Sequence, residues 1–134
     1  MRGAAEWSMV KADAREATRA RADIRSFLSA EADDEGSDLD AVEMIVGELV
    51  ANVIRHAAGP IGIHVAWEGD AAVAIFADRG PGIPAVRCVP AADATSGRGL
   101  MIVQALAKKV EIASSAANGS RVIVQLPVVR RLRR

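Results

Sequence analysis

The apolar residues change period at Gly59-Pro60, and that change decides most of what the chain can fold into. Before it, Val42, Ile45, Leu49, Val50, Val53 and Ile54 recur at helical spacing and form one broad face. After it, Ile61, Ile63, Val65 and Trp67 alternate with Gly62, His64, Ala66 and Glu68, as a strand with one buried side does. A helix cannot continue through a proline, which lacks the N–H and clashes with the preceding turn. The spacing therefore predicts a helix from a cap at Ser37 or Asp38 through Ala57, then a strand. Glu68-Gly69-Asp70 supplies a turn, and a second strand through Val73, Ile75 and Ala77 to Asp78 completes a hairpin.

The same reading extends to both sides. A short strand is expected at Glu6–Val10. A helix over Lys11–Ala30 follows, opened near Asp13 and carrying Ala17, Ile24, Phe27 and Leu28 inward. A short helix over Leu100–Lys108 and strands near Val110–Ser114 and Arg121–Pro127 close the chain. Because the strands come as hairpins instead of alternating with crossover helices, a doubly wound parallel sheet is disfavoured. The expected fold is an α/β two-layer sandwich: a mainly antiparallel mixed sheet with about three helices on one face.

Composition bounds the function classes. At 134 residues the chain is read as one domain, residues 1–134, with a basic flexible tail from about residue 128. Hydrophobic residues make up 51% but aromatics only 3%, so the core is aliphatic and stacking on bases is no basis for nucleic-acid binding. Seventeen basic and 17 acidic side chains cancel, which argues against a general polyanion binder. A lone cysteine, Cys88, can build neither an intrachain disulfide nor a thiolate zinc site. No apolar run approaches the about 20 residues that span a bilayer, and a cytoplasmic protein is expected. The acidic run from Glu31 to Asp40 and the arginines of Arg130–Arg134 read first as solvated surface, or else as contacts for partners of opposite sign.

Four short stretches can carry chemistry. Glu48, Asn52 and His56 stand at i, i+4 and i+8, one polar line on an apolar helix. A carboxylate there can take a proton from an attacking hydroxyl, and an asparagine carbonyl one turn on can serve a hard cation such as Mg²⁺. Asp78-Arg79-Gly80-Pro81-Gly82 follows a strand; its aspartate can accept a hydrogen bond from an exocyclic amine, and its glycines let the backbone pass close to a flat ligand. Gly97-Arg98-Gly99-Leu100 opens into a helix, where free amides attract phosphate. Gly119-Ser120 begins the final strand. Each has an ordinary reading when taken alone, as a solvated stripe, a turn or a loop.

In this order the four resemble the boxes of the GHKL (Bergerat-fold) ATPases, over about Lys11 to Leu126. Glu48-Leu49-Val50-Ala51-Asn52 looks like the N box, Asp78 to Gly82 the first glycine box, Gly97 to Leu100 the second, and Gly119-Ser120 the last. Within that superfamily, a domain of this length with His56-Ala57 closing the N-box helix resembles the bacterial anti-sigma factor serine/threonine kinases of partner-switching systems. The resemblance implies ATP and Mg²⁺ as cofactors, Glu48 as catalytic base and Asn52 as Mg²⁺ ligand. Asp78 would read the adenine, Gly80 and Gly82 would shape the base pocket, Gly97 and Gly99 would cradle the phosphates, and Ser120 would support the adenine end. Ile83, Arg98 and Leu100 would also bind the nucleotide, Arg98 with its positive charge.

It also implies two protein partners, a sigma factor and a STAS-domain anti-anti-sigma protein, with homodimers common among such kinases. Arg15, Arg19 and Arg21 of the first helix, with the edge of the Ile83 to Ser96 lid, are the expected contact surface. Two departures stand out. Ser120 replaces the usual threonine, and the segment from Ile83 to Ser96 that would cover ATP is short and has no lysine. No GxxxxGK[ST] loop is present, so a P-loop site is excluded. Two other readings stay open: an ATP-ordered anti-sigma module that transfers no phosphate, and a switch kinase that acts on a phosphatase activator without binding sigma.

Overall fold

The computed structural model describes residues 3–9, 14–56, 61–78, 101–115 and 119–131. Strand β1 is Ala4–Met9, and helices α1 and α2 are Ala14–Ser29 and Leu39–His56. β2 and β3 are Ile61–Glu68 and Ala71–Asp78; residues 101–106 are helical (α3); β4 and β5 are Lys109–Ser115 and Gly119–Val129. The expected cap Asp13 and stop Gly59-Pro60 lie outside the described residues, as do the side chains of Val53, Ile54 and His56.

The five strands form one sheet in the order β1-β2-β3-β5-β4, with every described pairing antiparallel. The β2–β3 hairpin turns at Gly69, whose φ of +67° is open to glycine at little steric cost. Because β5 inserts between β3 and β4, Asp78 at the end of β3 becomes the Cα partner of Ser120 at the start of β5.

One sheet face carries the core. Ile61, Ile63, Val65 and Trp67 of β2 line up with Ala72, Ala74 and Phe76 of β3 and with Val124, Leu126 and Val128 of β5. Ala20, Ile24 and Leu28 of α1 pack on them, with Val42, Ile45, Val46, Leu49 and Val50 of α2 and Val103 of α3. Val73 and Ile75, apolar as they are, face the other way and are half-buried. The hairpin register decides this: Trp67 pairs with Ala72 and Val65 with Ala74, so these alanines share the helix side. Trp7 closes the β1 edge by meeting Phe27 of α1 edge to face, ring centroids 6.3 Å apart.

Asp38, not Ser37, caps α2: its Oδ1 accepts from the Ala41 N–H at 3.0 Å. Residues 128–131, expected at the start of a flexible tail, are tied into the fold. Val128 and Val129 belong to β5, Arg130 forms a β-bridge with Ala32, and the Arg131 N–H donates to the Glu31 carbonyl; residues 132–134 lie outside the described residues. The two oppositely charged stretches that read as solvated surface therefore meet each other, through Arg130 Nε and Glu31 Oε1 at 2.8 Å.

Candidate nucleotide site

The geometry of α2 follows from what covers its flanks. Arg25 of α1 donates from Nη1 to Asp40 Oδ1 and to Glu43 Oε2, each at 2.8 Å. Between those carboxylates, Asp40 foremost, the guanidinium holds its proton more firmly than a free arginine. One turn away, Arg21 lies against Gly47, so close that a Cβ there would come within 3.2 Å of Arg21 Cδ and Nη1. Asp40, Glu43 and Gly47 thus mark the flank that α1 covers. At about 100° per residue, Glu48 and Asn52 lie about 100° and 140° around the axis from Gly47, on the flank turned away from α1.

Both side chains are half-buried, and no hydrogen bond or ion pair joins either to another described residue. An amide oxygen and a carboxylate without partners among the described residues suit a hard cation that keeps water and phosphate among its ligands. Asn52 therefore fits Mg²⁺ as a single protein oxygen donor. Among the described residues, no group of three or more His, Cys, Asp or Glu could hold a metal by itself.

The sheet brings the second half. Asp78 pairs with Ser120 on one side and with Ile61 on the other, and Ser120 pairs with Ser114 of β4. Residues 57–60 join α2 to Ile61, so the end of α2 stands at most about 18 Å along the chain from that register. The expected adenine reader and its supporting hydroxyl residue are thereby neighbours along the sheet. Gly97 to Leu100 immediately precede helical residues 101–106, the position expected of a loop that opens a helix. Gly80, Gly82, Ile83, Gly97, Arg98, Gly99 and Leu100 themselves lie outside the described residues, together with Arg87 and Cys88.

Of the expected contact surface, Arg15 and Arg19 are exposed, whereas Arg21 is turned into the α1–α2 contact with its Nε buried and without a partner among the described residues. His64, on the open sheet face, pairs through Nδ1 with Glu6 Oε2 at 3.0 Å. No helix among the described residues is long and apolar enough to cross a membrane. The sequence offers Ser37 as a cap, and nothing local shows that its hydroxyl bonds Val129 of β5 instead.

Known proteins supply the remaining evidence. No curated protein matches the sequence. The blue-light activated histidine kinase EL346 of Erythrobacter litoralis is 19% identical with a TM-score of 0.54, over 69% of this chain and 32% of that one. The Acinetobacter baumannii histidine kinase AdeS is 14% identical with a TM-score of 0.55, over 90% of this chain and 67% of that one. At such identities the likeness is one of fold, and the chain spans about a third of the blue-light kinase. Residues 10–126, nearly the whole chain, match the histidine kinase-like ATPase domain. The chain belongs to that family, a GHKL-type ATPase domain.

Proposed function

We propose that the protein binds ATP with Mg²⁺ and is a serine/threonine kinase and anti-sigma regulator, which sequesters a sigma factor and phosphorylates a STAS-type anti-anti-sigma partner. The observation that supports the nucleotide site is the Asp78–Ser120 pairing, in register with Ile61, which four residues join to the helix that bears Glu48 and Asn52 on its flank away from α1. The partners and the serine/threonine specificity rest on the sequence resemblance.

Bound ATP supplies the γ-phosphoryl group, and its transition state asks for positioning and charge neutralisation more than for covalent help. Asn52 would offer its amide oxygen to Mg²⁺. Asp78 would accept from the exocyclic amine of adenine, and the amides around Gly97 and Gly99 would hold the phosphates. Arg98 adds positive charge there. Glu48 takes the proton of the partner's hydroxyl as the oxygen attacks. Phosphate on the STAS partner then adds charge that breaks its complex with the kinase, leaving the kinase surface to sigma.

Calorimetry with Mg-ATP tests the site, and γ-labelled ATP with a STAS protein tests the transfer. Label on the partner excludes the purely binding module. Retention of a sigma factor on the immobilised chain excludes the switch kinase that works without sigma. A chain that binds no nucleotide refutes the whole reading.

A further inference from the structure

The end of β5 and the acidic connection between α1 and α2 are laced together main chain to main chain. The Asp33 N–H donates to the Val129 carbonyl at 2.7 Å, the Arg131 N–H to the Glu31 carbonyl at 2.7 Å, and the Asp38 N–H to the Pro127 carbonyl at 2.9 Å. Ser37 closes the gap: its hydroxyl accepts from the Val129 N–H at 3.0 Å and donates to the Val129 carbonyl at 3.3 Å. Arg130 locks the outside, with Nε on Glu31 Oε1 at 2.8 Å and the guanidinium carbon 5.5 Å from the centre of the Trp67 ring. Arg131 donates from Nη2 to the Ala30 carbonyl at 3.2 Å, at the C-terminal end of α1.

These contacts fix more than a surface turn. Asp38 caps α2 with its side chain while its own N–H is held on β5, so the helix starts at a point set by one hydrogen bond. From there to Asn52 the helix rises about 21 Å. From Pro127 back to Ser120, β5 covers about 24 Å. Both runs share an origin, and their far ends carry the metal-side and the adenine-side residues of the site.

We propose that Ser37, Asp38 and Arg130 are positioning residues for the nucleotide site: their clamp on β5 sets where Asn52 stands relative to Asp78 and Ser120. The inference rests on the ATP-binding reading above. Sheet and helix contribute separable parts of the affinity. ADP without metal reports the sheet side, and the gain on adding Mg²⁺ reports α2.

The test is calorimetry of wild type, Ser37→Ala and Ser37→Thr with ADP, in EDTA and then in Mg²⁺, with thermal unfolding alongside. Ser37→Ala is expected to cut the Mg²⁺-dependent gain about tenfold, within the range for loss of one buried hydrogen bond. Metal-free ADP affinity should stay within about twofold, as for independent sites. Ser37→Thr, which keeps the hydroxyl, should restore the gain. Arg130→Met, which keeps an apolar stem over Trp67, serves if Ser37→Ala does not fold, with the same split expected. An undiminished Mg²⁺ gain in a destabilised variant makes the clamp merely structural and overturns the proposal, as does an equal fall in both affinities. A wild-type chain that binds neither ADP nor ATP overturns the nucleotide reading instead, and the clamp's role with it.

Discussion

Gly47→Ala sets two effects of similar size against each other. Gly47 lies in the interior of α2 with no positive φ, so alanine gains about 1 kcal/mol by restricting the unfolded chain and favouring the helix. Against this, the new Cβ would sit 3.2 Å from Arg21 Cδ and Nη1, closer than ordinary contact. The obstacle is a long side chain, not backbone, and its buried Nε has no partner to lose among the described residues. A torsional adjustment of a few tenths of an ångström costs less than the ~0.5 kcal/mol of a frankly displaced rotamer. The expected net is stabilisation of about 0.5 kcal/mol, a rise in Tm of about 2 °C, read by urea and thermal unfolding. Gly47→Leu adds atoms for which no such adjustment suffices and should destabilise by about 1–3 kcal/mol. Because Gly47 stands on the α1 flank, nucleotide affinity should be unchanged in Gly47→Ala. A loss of stability above about 1 kcal/mol would show that Arg21 is held too tightly to yield, and the weighing of the two effects would be wrong.

The other expectations address the site and its scaffold. Asn52→Ala should abolish the Mg²⁺-dependent part of ATP binding in calorimetry, whereas Glu48→Ala should bind Mg-ATP and lose about 10²- to 10⁴-fold in the rate of label transfer. Asp38→Ala removes the cap on Ala41 and should cost about 1 kcal/mol in denaturant titrations, with Asp38→Ser recovering most of it. Gly69→Ala forces a side chain into φ +67° at the hairpin turn and should cost about 1–2 kcal/mol, although open space surrounds the position.

Local patterns were legible wherever local physics decides. The shift from helical to alternating period places α2 and β2 to within a residue or two, and Glu68-Gly69-Asp70 marks the hairpin. Strand order was not legible, because nothing in Gly119–Val129 says that it enters between β3 and β4. Nor does the A-V-A-I-F-A stretch of β3 declare which side is inside; pairing with β2 turns Val73 and Ile75 outward. The charged stretches misled for the same reason. Glu31 and Arg130 are 99 positions apart, and charge runs without a visible partner read as solvated. For the site, residue types and order suggested the chemistry, while the neighbourhood of Asp78 and Ser120 is a product of topology alone.

That division bears on how such a site can be tuned. Phosphoryl transfer depends chiefly on placement, and an error of about 1 Å can cost on the order of 10²-fold. In the proposed site the residues assigned to the metal ride on a helix and those assigned to the adenine on a sheet, so their separation would be set by whatever fixes helix to sheet. Aliphatic packing under Val42, Ile45, Val46, Leu49 and Val50 supplies adhesion, but such packing is non-directional and resists sliding along the helix axis weakly. Directional contacts must supply the axial register. Arg25 ties α2 to α1, which is itself a helix lying beside it, and so defines rotation better than position on the sheet. The hydrogen bonds from Ser37 and Asp38 to β5 are the described contacts that refer α2 to the sheet along its axis. Substitutions in that short stretch should therefore move catalytic parameters further than their cost in stability implies, whereas core truncations such as Leu126→Ala should do the reverse.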